Sequence, residues 1–165
     1  MAEERNVRMG ETKFFTLKNE EKYTSTGFNS CLGVVIIGRL GGQWHLIMGH
    51  YACHEAAIAD TMDMQVLEGE SEKCKINNRG AAVNRIPELW RAHRHLFQDD
   101  LQAFLFRPER TDHEDMVCKL ADIIRHTTGI TPDRKYYSKK TALKGKARIS
   151  VKAKSRHSVK IKFAE

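Results

Sequence analysis

The sequence predicts an α+β fold, a β-sandwich-like sheet core flanked by at least two helices, with one hairpin that carries a cysteine and a histidine. Three patterns carry that prediction. Cys31-Leu32-Gly33-Val34-Val35-Ile36-Ile37 is a β-branched run of strand length. Met116, Val117, Leu120, Ile123 and Ile124 recur with the period of one helix face. Near the C-terminus, Ile149, Val151 and Ala153 alternate with Ser150, Lys152 and Lys154, and Val159, Ile161 and Phe163 alternate with Lys160 and Lys162. With 165 residues, 41% hydrophobic and 30% charged, the chain reads as a single domain over residues 1–165.

Residues 1–12 read as a frayed leader, and Phe14-Phe15-Thr16-Leu17 as a short strand. Thr24 to Ser30 is polar, contains Gly27, and reads as a turn that enters the β-branched strand. Gly38 to Gly42 then forms a loop, and Gln43-Trp44-His45-Leu46-Ile47-Met48 returns as the partner strand. Residues 51–84 resist assignment, although Ala56 to Ala59 has helical character and Asn77-Asn78-Arg79-Gly80 marks a turn. Pro87 suits the first turn of a helix running toward Leu96-Phe97, and Ala103 to Phe106, before Pro108, suits a buried strand. The helix after it is capped by Thr111 or Asp112, begins with Glu114 and Asp115, and stops at Gly129. Residues 134–165 supply basic C-terminal strands, with the last two joined around Ser155 to Ser158.

Charge is unevenly spread. The net +7 arises from Arg134 to Ala164, where twelve Lys or Arg stand without an acid; residues 1–133 hold sixteen bases against twenty acids. The longest apolar runs fall far short of the roughly 20 residues of a spanning helix, so no membrane insertion is expected. Met1-Ala2-Glu3-Glu4-Arg5 does not open a signal peptide. Cys31, Cys53, Cys74 and Cys118 lack C-x-x-C spacing, which disfavours a zinc ribbon or a disulfide scaffold and points to thiols in a reducing, cytoplasmic setting.

The chemistry of interest is a thiol beside an imidazole, because an imidazole that takes the thiol proton makes the sulfur a nucleophile. Cys31 and His45 face each other if the hairpin loop centres on Gly38, and the amides of the Gly27 to Ser30 turn then suit an oxyanion. A tight turn at Arg39-Leu40-Gly41 instead sets Cys31 opposite Gly49 and makes His50 the nearer imidazole. A buried, inert thiol is the competing structural reading.

Ser25-Thr26-Gly27-Phe28-Asn29-Ser30-Cys31-Leu32-Gly33-Val34-Val35, followed by Gly41-Gly42-Gln43-Trp44-His45, resembles the catalytic hairpin of the chemotaxis receptor glutamine deamidases. The same Cys-and-His core resembles the deamidating toxins of the cytotoxic necrotizing factor and Burkholderia lethal factor type. The likeness covers residues 24–50. Asn29 replaces the family's glycine before Ser-Cys, and Ser25 stands at its usual threonine. The resemblance implies a protein-glutamine deamidase in which Cys31 is the nucleophile, His45 the general base (His50 the alternate) and Ser25 the residue that orients the histidine. Asn29, Ser30 and Trp44 are then expected to contact substrate. It implies a protein substrate with an exposed glutamine, no metal and no organic cofactor, with transglutamination as related chemistry. The toxin likeness leaves delivery into a host cell open.

Two further readings compete. His50-Tyr51-Ala52-Cys53-His54 groups three potential metal ligands, with Cys74 downstream, in no standard zinc spacing, whereas His93 and His95 suit an exposed basic helix face or a substrate-contact surface. Arg134 to Lys162, with Tyr136, Tyr137 and Phe163, suits an anionic partner or a nucleic-acid-binding module without catalysis.

Overall fold

The computed structural model describes residues 5–52 and 82–163. The expected α+β class holds, in two sheets and three α-helices among the described residues. The strands are β1 (Glu11–Thr16), β2 (Lys22–Ser25), β3 (Leu32–Leu40), β4 (Gln43–Tyr51), β5 (Asp99–Pro108), β6 (Asp133–Tyr137), β7 (Ile149–Ser155) and β8 (Ser158–Phe163). The helices are α1 (Arg85–His93), α2 (Glu114–Thr128) and α3 (Lys139–Leu143). Five strands pair in the order β1-β4-β3-β5-β6, antiparallel except for β5 and β6, and β2-β7-β8 form an antiparallel second sheet.

Alternation along the central strands builds two cores on opposite faces of the large sheet. Leu32, Val34, Ile36 and Ile47 pack on one face with Ile86 and Leu89 of α1 and Val117, Leu120 and Ile124 of α2. Val35, Ile37, Leu46 and Met48 pack on the other with Tyr23, Ile149 and Val151 of the small sheet. The order is therefore helices, large sheet, small sheet. Because β3 is buried on both faces, its sequence is a continuous apolar run rather than an alternation.

The β3-β4 turn decides the site. Leu40 pairs with Gln43, leaving a two-residue turn in which Gly41 takes φ +61°, the positive value a type II′ turn requires at its first central position. In the resulting register Gly38 faces His45, Val34 faces Gly49, Gly33 faces His50 and Leu32 faces Tyr51. The turn is neither a wide loop centred on Gly38 nor the Arg39-Leu40-Gly41 turn.

Other expectations shift as well. Residues 5–12 are tied down rather than frayed: Val7 is fully buried and its N–H donates to the Thr24 carbonyl. Thr24 and Ser25 belong to β2, not to a turn, because β7 supplies ladder partners that a local reading does not contain. Thr111 accepts from the His113 N–H, so it closes the turn before α2 rather than capping the helix, whereas Gly129 ends α2 in the left-handed conformation as expected. The basic segment is split, with β6 in the large sheet and β7 and β8 in the small one. Ala56 to Ala59 and Asn77 to Gly80 lie outside the described residues.

Candidate active site

The site forms where the strands of both sheets end near Cys31. Cys31 precedes β3 by one residue, continues its alternation and joins the core between the sheets, 5% exposed. On β4 the same face carries Trp44, Leu46 and Met48, and two positions on, His50. His50 faces Gly33, so Cys31 and His50 are diagonal neighbours on one face of an antiparallel pair, a relation that spans about 7–8 Å between Cα atoms.

Ser25, at the end of β2 in the opposite sheet, completes the set. Its hydroxyl donates to the Val7 carbonyl at 2.7 Å and lies 2.9 Å from His50 Nδ1. With the hydroxyl proton committed to Val7, Ser25 accepts from Nδ1–H, which leaves Nε2 as the unprotonated ring nitrogen. His50 Nε2 is buried and has no hydrogen-bond partner among the described residues. A buried lone pair of this kind is costly to a fold.

Phe28 stacks on the His50 ring at 3.8 Å between centroids, 5° from parallel. Gly33 makes room for it. A Cβ at position 33 would lie 2.9 Å from the Phe28 ring and 2.7 Å from Ile149 Cδ1. Burial under Phe28 pushes the His50 pKa from 6.5 down to about 4. The unfolded chain therefore binds a proton that the folded chain excludes between pH 6.5 and about 4. Stability from this group is complete above pH 6.5, falls as pH drops toward 4, and amounts to roughly 3 kcal/mol. His45, also held low by burial, adds in the same direction. Urea midpoints measured from pH 7 to 4 are expected to fall less steeply in His50→Gln than in the wild-type chain.

The exposed Met9 packs against the thiol, with Cys31 Sγ 3.6 Å from its thioether sulfur. The Gly10 N–H donates to the His50 carbonyl at 2.7 Å, which ties the segment before β1 to the strand that carries His50. Behind the thiol, the Tyr137 hydroxyl donates to the Cys31 carbonyl at 2.8 Å. Beside it opens a cleft of about 700 Å³, lined by Asn29, Ser30, Pro108, His113, Tyr137 and Lys139. Asn29 and Ser30 line this cleft, whereas Cys31, His50 and Ser25 do not. Ser30 takes φ +71°, a strained value for a non-glycine residue in the turn that delivers Cys31.

Three expectations are corrected. His45 is not across from Cys31: it lies on the helix-covered face, its Nδ1 is 3.0 Å from Thr16 Oγ1, and the rings of Phe14 and Phe97 pack around it. His93 is not simply exposed but stacks on Phe14 at 3.7 Å, and its charge lowers the His45 pKa further. Trp44 is buried at the far end of the hairpin, where its indole N–H donates to the Ser155 carbonyl, too remote to touch a substrate at Cys31. In the expected oxyanion turn, the Phe28 N–H is already given to the Ala147 carbonyl. Tyr137 and Met9 were missed, since only tertiary packing brings them to the thiol.

No protein-family model matches the chain, and no curated protein matches it. The site therefore rests on its own geometry. No group of three or more His, Cys, Asp or Glu side chains suited to a metal occurs among the described residues, and Cys53, His54 and Cys74 lie outside them. No helix among the described residues is long and apolar enough to cross a membrane.

Proposed function

We propose that the chain is a cysteine-dependent amide hydrolase of the protein-glutamine deamidase type, with Cys31 as nucleophile, His50 as general base and Ser25 as the residue that fixes the imidazole. One observation carries the reading: Ser25 holds His50 Nδ1 and leaves Nε2 unprotonated and without a partner among the described residues, on a residue that shares its sheet face with Cys31. This is the nucleophile, base and orienting-group order of triad enzymes. It keeps the roles implied by the deamidase resemblance and moves the base from His45 to His50.

In the reaction, His50 Nε2 takes the Cys31 proton as sulfur attacks the glutamine side-chain amide carbon. The same proton passes to the departing nitrogen, and ammonia leaves as the thioester forms. His50 then takes a proton from water, whose oxygen attacks the thioester carbon, releasing glutamate and restoring the thiol. A pKa near 4 keeps the imidazole neutral and able to accept at neutral pH. The thiolate that forms beside it favours the imidazolium.

Iodoacetamide alkylation between pH 5 and 9, followed by peptide mass spectrometry, tests the pair before any substrate is known. Cys31 is expected to label faster than the exposed Cys118 below pH 7 once Met9→Ala uncovers it, and His50→Ala is expected to remove that advantage while His45→Ala leaves it. Equal rates at Cys31 and Cys118 in the Met9→Ala protein, or loss of the advantage in His45→Ala instead, would overturn the assignment.

A further inference from the structure

The outer face of the small sheet carries a pattern independent of the thiol site. Lys22 of β2 pairs with Lys152 of β7, which pairs with Lys160 of β8, so three lysines stand in one cross-strand row. The next row is Thr24, Ser150 and Lys162. Lys22, Ser150, Lys152, Lys160 and Lys162 together line one shallow depression of about 90 Å³.

The neighbouring acids among the described residues, Glu20 and Glu21, are engaged elsewhere. Glu20 pairs with Lys154 at 3.1 Å and Glu21 with Arg5 at 2.8 Å, and among the described residues none of the four lysines has an ion-pair partner. Like charges set directly opposite each other in a sheet are destabilising. Lysines that only guard a sheet edge belong on the edge strands, but Lys152 is on the central strand and half-buried between the other two. The row costs the fold stability that an anion returns.

We infer that this face binds the phosphate backbone of a nucleic acid, without reading bases. Each lysine offers a compact charge suited to phosphate, whereas bidentate recognition of carboxylates favours the arginine fork. Among the described residues no exposed aromatic ring accompanies the row: Phe163 packs toward the core against Phe104 and Phe106, Tyr137 is buried, and the exposed Tyr136 lies in the other sheet. The aromatics expected to stack on bases are therefore not beside the row, which favours contacts to phosphates. None of the exposed large hydrophobic residues among the described residues, Met9, Leu40, Tyr136 and Leu143, lies in the depression, which disfavours an anionic lipid surface that also takes apolar side chains.

Fluorescence polarisation of a labelled 20-base-pair DNA duplex tests this on the full chain. With four phosphates neutralised, affinity is expected to fall about 150-fold between 50 and 200 mM salt, following a log–log slope of roughly −3.6. Lys152→Gln is expected to reduce the slope by about one unit, and Lys152→Glu with Lys160→Glu to abolish binding. The thermal midpoint of Lys152→Gln is expected to hold or rise, since it relieves repulsion, so a lost signal does not reflect unfolding. Absence of duplex binding at 50 mM salt, or binding unchanged by the double substitution, would overturn the inference. So would polyglutamate or phosphatidylserine vesicles binding more tightly than the duplex with the same lysine dependence. Iodoacetamide labelling of Cys31 is expected to be unaltered in all of these variants, which separates this surface from the thiol site.

Discussion

His50→Gln is expected to lower amide hydrolysis about 10²- to 10⁴-fold, the usual contribution of a positioned general base, while His45→Ala retains turnover. The measurement is ammonia release from an unfolded, glutamine-rich protein, with glutamate formation confirmed by a mass increase of the substrate peptides. Cys31→Ala is expected to reduce release to background, because no other described thiol shares its setting: Cys118 is exposed on α2. Ser25→Ala is expected to act through the histidine. Losing the acceptor at Nδ1 frees the imidazole to take the other tautomer, which puts a proton on Nε2 where a lone pair is needed. Its signature is a fall in kcat with little change in KM, partly restored in Ser25→Thr, which keeps the hydroxyl. The acid limb of kcat/KM is expected well below 6.5, because burial holds His50 at about 4. Full activity of His50→Gln would remove the base from this position and the proposed mechanism with it.

Phe28→Ala is expected to be the most damaging single core substitution near the site. The ring is 1% exposed, stacks on His50, and meets Phe106 edge-on at 4.9 Å between centroids. Truncation leaves a cavity between the sheets and is expected to cost about 3–5 kcal/mol, read as a shift of the urea midpoint. It also opens the imidazole to water. The His50 pKa is then expected to climb from about 4 toward 6.5, followed by the ring-proton NMR shifts on titration, and the acid sensitivity of folding is expected to flatten with it. Phe28→Leu, which fills much of the volume without a stacking face, separates the two effects: most of the stability returns. A His50 pKa that stays near 4 in Phe28→Ala would show that the ring is not what desolvates the imidazole.

Local sequence determined the elements whose cause is local. The β-branched run gives β3, the apolar periodicity with Gly129 gives α2, and lysine alternation gives β7 and β8. It also marked Cys31 as a thiol where a polar turn enters a β-branched strand, while Ser25 was marked only by the deamidase resemblance. The histidine was legible only as a choice between two. Side chains alternate across a strand, so His45 and His50, five residues apart, lie on opposite faces whatever the register. Which face Cys31 shares depends on the turn: Gly41-Gly42 as the whole loop puts His50 across from Gly33 and sends His45 toward the helices.

Tertiary structure alone decided the rest. Ser25 reaches His50 because β2 is held by β7, more than 120 residues further along the chain, and no local propensity encodes that pairing. Parallel pairing of β5 with β6, the seating of Tyr137 behind Cys31, and the lysine row across three strands have the same origin. Composition and period determine what each segment becomes, because backbone geometry and apolar burial act within a few residues. Which faces meet is decided by the packing of the two sheets, and that packing brings the Ser25 hydroxyl to the His50 imidazole, on the sheet face that Cys31 shares.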